Sequence, residues 1–197
     1  MDAIPAEQFL AQAAALGVGF HSRYHDHLTL LPPAGHARFW VRPGAPAAWP
    51  HFVAALRAGL GPWAAGDRWP RPGRWPATAG CDTRNERVRQ VTLRGAGVPD
   101  GWAGAVRFDH AEADVAAAVL CAHLTYGWHA PDDVWFVPDH GRQVVWTEHH
   151  DVVHAECRDE GRVLALVEHM AAAGYPLPAE PPDATFIWPA WMPPPEP

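Results

Sequence analysis

The segment WTEHHDVVHAEC, residues 146–157, is the densest set of chemically capable side chains in this chain. Glu148, His149, His150, Asp151, His154, Glu156 and Cys157 fall within twelve positions. Imidazole, carboxylate and thiolate are the donors that a transition metal such as zinc takes. If the residues after Asp151 form a strand, alternation puts His154 and Glu156 on one face and Val153, Ala155 and Cys157 on the other. That strand then offers two aligned ligands at most. An expected turn at 149–151 or another segment must supply the rest, with His25, His27, His129 and His140 as the distant choices. The candidate metal ligands are therefore His149, His150 and His154. Against them, the chain has no HExxH and no paired CxxC. The same residues also read as a polar rim around a hairpin turn, hydrogen-bonded to backbone and water.

Other chemistry is thinner. Cys121 falls in an apolar helical stretch and reads as inert core. Cys81, close to Asp82 and Arg84, is the better reactive thiol, because a neighbouring cation favours the thiolate. No GxSxG, P-loop or dinucleotide-binding glycine pattern is present. The reading therefore leans away from an enzyme and expects no cofactor, with zinc or a similar metal kept for the alternative.

A second cluster pairs arginine with tryptophan. RWPRPGRWP at 68–76 presents Trp69, Arg71, Arg74 and Trp75, and seven arginines fall within residues 68–94. Such a set can track phosphate and stack bases. It can anchor a protein interface, or its tryptophans can plug a core. The net charge of −7 ranks nucleic acid last.

That net charge hides a split. Residues 1–100 carry 11 Arg against 7 acids, whereas residues 101–197 carry 4 Arg against 15 acids. An acidic C-terminal half suits a basic protein partner, and charge complementarity speeds capture. The candidate contacts are Asp132, Asp133, Asp139, Glu148 and Asp151, with Trp135 or Trp146 as anchor. A solvated acidic surface with no partner explains the same charges.

The composition bounds the rest. With 197 residues, 48% of them apolar and 19% charged, the chain should be globular. No apolar run approaches the roughly 20 residues that cross a bilayer. The opening MDAIPAEQFLAQAAALG has acids and no early Arg, unlike a signal peptide. Three cysteines make no complete disulfide framework, which favours the cytoplasm. All 15 basic residues are Arg, and 22 Pro with 17 Gly fit the bias of a GC-rich bacterial genome.

The elements that must position these residues follow from pattern. Helices are expected at 5–16, at 50–60 (Phe52, Val53, Leu56 and Leu60 inward), from a capping box Asp109–Glu112 to Tyr126, and at 160–173. Strands are expected on both sides of a Pro32–Gly35 turn, at 87–94, 102–108, 133–137, 142–148 and 151–157. The stretch 61–86 reads as a long loop, because prolines exclude helix interiors and central strands. The fold class is α+β, mostly antiparallel sheet with flanking helices. Residues 27–40 and 133–146 align without a gap, pairing Pro32 with Pro138, Gly35 with Gly141 and Trp40 with Trp146. That allows two pseudo-repeated αββα-type halves, 1–60 and 87–175, joined by the 61–86 loop within one compact unit. The Pro-rich tail, 176–197, is expected to pack on the body.

The order of elements, with acids and tryptophans around the hairpins, loosely resembles small bacterial toxin-immunity proteins. The αββα segments loosely resemble secretion-chaperone adaptors. No motif carries either resemblance, so no residue role follows from them. The primary expectation is a soluble bacterial binding or inhibitory protein of the immunity type. The alternatives are a metal-dependent enzyme or metal carrier and a structural adaptor subunit.

Overall fold

A computed structural model describes residues 2–21, 27–41, 43–61, 66–70, 91, 94–95, 97–99, 102, 104–126, 134–148 and 152–179. The elements run β1 (Asp2–Ile4), α1 (Ala6–Ala15), β2 (Val18–His21), β3 (His27–Leu30), β4 (His36–Val41), α2 (Trp49–Leu60), β5 (Gly66–Pro70), β6 (Ala105–Phe108), α3 (Ala113–Tyr126), β7 (Val134–Pro138), β8 (Gln143–Glu148), β9 (Val152–Cys157) and α4 (Glu160–Ala172). Seven strands form one antiparallel sheet in the order β1-β6-β5-β7-β8-β9-β4, and β2 pairs with β3 in a second, smaller one. The class is α+β. Strands from the first 60 residues lie at both ends of that strand order, and later residues fill its centre.

Alternation along the strands feeds two cores. On one face Phe136, Val145, Val153, Ala155 and Trp40 meet α2, α3 and α4 through Phe52, Leu56, Ala116, Leu166 and Met170. On the other face Trp135, Val137, Val144 and Ala105 meet α1 and the small sheet through Phe9, Ala13, Leu28 and Leu30. Each fully buried Phe or Leu contributes about 1.5–3 kcal/mol. The helix caps are local. Asp109 accepts from the Glu112 amide at 3.0 Å while Glu112 returns to the Asp109 amide at 3.0 Å, the expected capping box. Arg162 on α4 donates to Gly59 O and Leu60 O at 2.5 and 2.7 Å, satisfying carbonyls that the end of α2 leaves open.

Three expectations need correction. The segment around Pro32 is not a hairpin: β3 pairs with β2, and β4 pairs with β9. Pro32 and Pro33 have no N–H to close a turn, so the chain crosses from the small sheet to the edge of the large one. The second segment is a hairpin, since Gly141 N donates to Pro138 O at 2.9 Å with Gly141 at φ 59°. Trp40 and Trp146 consequently face opposite sides of the sheet, and the pseudo-repeat is not carried into the structure. Second, part of the 61–86 loop is a strand. Gly66–Pro70 lies between β6 and β7, because its only proline stands at its last position. Third, within the expected strand 87–94 the described residues Val91 and Arg94 are helical, and Val91 is 64% exposed. Its imperfect alternation had no apolar face to bury.

Candidate functional site

One register row crosses five neighbouring strands. Trp69 is opposite Trp135, Trp135 opposite Trp146, Trp146 opposite His154, and His154 opposite Phe39. Pairs directly across an antiparallel ladder share a face, so Trp135, Trp146, His154 and Phe39 form an aromatic row on the side covered by α1 and the small sheet. Its exposure changes along the row. Trp135 is 1% exposed and belongs to the core, while Trp146, His154 and Phe39 are half-buried. The His154 ring lies flat on Trp146, with centroids 4.6 Å apart and planes 5° from parallel, and Phe39 tilts against it at 6.3 Å.

Two residues on, Glu156 shares the face of His154, as alternation requires. It is opposite Val144 and Ala37 and only 7% exposed. Its carboxylate accepts from the Ala34 amide at 3.3 Å and from that of Leu30. Burial pushes its pKa up, and the two amides partly offset this. Glu156 thus pins the crossing segment 31–35 to the sheet. The sequence showed a donor in a polar cluster; nothing local disclosed partners more than 120 positions away. Cys157 faces the other way. Burial pushes its thiol up to about 11, and its Sγ lies 3.6 Å from Gln143 Oε1.

Asp139 is 63% exposed on the β7–β8 turn, 3.7 Å from Arg107. Glu148 ends β8 opposite Val152. Trp69 lies in β5. His149, His150, Asp132, Asp133, Asp151, Arg71, Arg74, Trp75, Cys81 and the tail beyond 179 lie outside the described residues. Among the described residues, no three His, Cys, Asp or Glu side chains come together as a metal-binding group. No helix among them is long and apolar enough to cross a membrane.

Charge is segregated in the later half. Asp109, Asp114, Asp139, Asp159, Glu160 and Glu168 are exposed. Of the four arginines there, Arg142 is exposed, and Arg107, Arg158 and Arg162 bond to groups of the chain itself. Arg158, missed by the sequence reading, donates through Nη2 to Gly17 O at 2.8 Å and Leu31 O at 2.9 Å, tying the end of β9 to the small sheet. Arg162 caps α2, and Arg107 reaches Gln12 Oε1 at 3.1 Å. The chain matches no family model, no curated protein and no solved structure.

Proposed function

We propose that the protein binds a basic partner protein through the acidic surface of its later half, as an inhibitor of the immunity type would, in a bacterial cytoplasm. The observation that supports this reading is the segregation just described. Six acids are exposed there, against an exposed Arg142 and three arginines, Arg107, Arg158 and Arg162, that bond to groups of the chain itself. An outward negative field steers a cationic partner and falls off within about 8 Å at physiological salt. Asp139, with Asp132, Asp133, Glu148 and Asp151 of the same stretch, would form the contact, and half-buried Trp146 would add an aromatic edge.

Retention of basic proteins on immobilised chain, followed from low to high salt, tests it. Reversal of Asp132 and Asp133 to Arg, and separately of Asp139 and Glu168 to Arg, should cut retention at low salt. Equal retention by both reversals and the parent would overturn the reading.

A second reading keeps His154 as a metal ligand with His149 and His150. The shared face of His154 and Glu156 supports it, although the Glu156 carboxylate already binds two amides. Elemental analysis of chelator-free protein tests it. About one zinc per chain, lost in a His150→Ala/His154→Ala pair, supports the site; metal-free protein sinks it.

A further inference from the structure

The cleft between α2, α3 and the sheet is not used by either reading. It is open to solvent at its mouth, with about 40 Å³ of cavity volume inside. Leu56, Ala116, Ala117 and Phe136 give it apolar walls, and Arg57 and Thr147 are the polar residues among its lining. Thr147 is 5% exposed. Arg57 reaches across to α3, its Nη2 2.9 Å from Asp114 Oδ1. Its Nε is enclosed and has no hydrogen-bond partner among the described residues. Asp114 is 85% exposed, so solvent screens that ion pair and the guanidinium keeps attraction for a second anion.

An apolar pocket with one or two convergent polar groups is what small-molecule sites look like. A buried guanidinium N–H without an acceptor is costly, and a carboxylate supplies the acceptor in a charge-assisted bond. We propose that this cleft binds a small apolar acid, with its hydrocarbon or aromatic body between α2 and α3 and its carboxylate on Arg57 Nε. Thr147 adds a hydroxyl for the same head group.

Calorimetric titration of the full chain with octanoate, and with octan-1-ol as the uncharged comparator, tests this. Octanoate should bind with 1:1 stoichiometry and more tightly than octanol. Arg57→Met should weaken octanoate at least about tenfold and leave octanol unchanged. Arg57→Lys should recover part of the loss. Ala117→Leu, which fills the cleft from a helix-favouring position, should abolish binding of both, with circular dichroism checking that each variant folds. No octanoate binding, equal affinity for octanol, or octanoate binding indifferent to both Arg57→Met and Ala117→Leu would each overturn the proposal.

Discussion

Trp146 on β8 and His154 on β9 lie face to face across the ladder, 4.6 Å apart and within 5° of parallel. An aromatic pair of this kind contributes about 0.5–1.5 kcal/mol beyond the area it buries. His154→Ala should therefore cost about 1–2 kcal/mol in urea unfolding, and His154→Phe, which keeps the flat ring, less than about 1 kcal/mol. The same pair of variants separates stacking from ligation. Phe cannot hold a metal, so zinc uptake that survives in His154→Phe would remove His154 from any metal site, whatever the stability result.

Gly35 and Gly141 coincide in the aligned segments but stand in different physical situations. A Cβ at Gly35 meets open space, whereas one at Gly141 would lie 2.5 Å from Leu16 Cβ and 2.7 Å from Leu16 O, at φ 59°. The left-handed backbone alone costs a non-Gly residue roughly 1–2 kcal/mol. Gly141→Ala should lose at least about 2 kcal/mol, or roughly 4–8 °C in Tm, and Gly35→Ala should stay within about 0.5 kcal/mol. Equal losses at the two positions would mean that the two turns do play the same part.

The contrast shows where sequence reading works in this chain and where it stops. α2 and α4 were legible because Phe52, Leu56, Leu166 and Met170 repeat at helical spacing and bury. β7, β8 and β9 were legible from alternation and from a turn whose hydrogen bond is local. The partner of β4 was not, because pairing with β9 is set by packing across more than 100 residues and no local signal encodes it. β5 was missed because the prolines around it outweighed the four proline-free residues that make the strand. The same limit applied to the site. His154 and Glu156 were placed on one face by parity alone, but the aromatic row needs the order of four strands, and the bonds of Arg158 and Arg162 need carbonyls supplied by distant segments.

Cys157 supplies a chemical test of burial. With its thiol held near 11, only about a thousandth is thiolate at pH 8. It should resist iodoacetamide in the native protein and react fully in urea, as read by peptide mass mapping. Rapid native labelling would show that β9 opens at its end, where Arg158 is expected to hold it closed.

Glu156 makes the tie between the crossing segment and the sheet depend on pH. Its folded pKa is raised, so the folded chain holds this proton more tightly than the unfolded chain does. The stability that protonation provides is fully present below the ordinary value of 4.5 and is lost as pH rises through the folded value. Where it is ionised, the folded carboxylate is a buried charge whose two amide bonds do not fully offset its desolvation. Glu156→Gln keeps an acceptor oxygen for Ala34 and removes the charge. It should unfold at a higher urea concentration than the parent at pH 7, and the gap should close as pH falls below the ordinary glutamate range. A variant less stable than the parent at pH 7 would mean that the charged hydrogen bonds to Ala34 and Leu30 outweigh desolvation, and that the carboxylate is kept for its strength as a clasp.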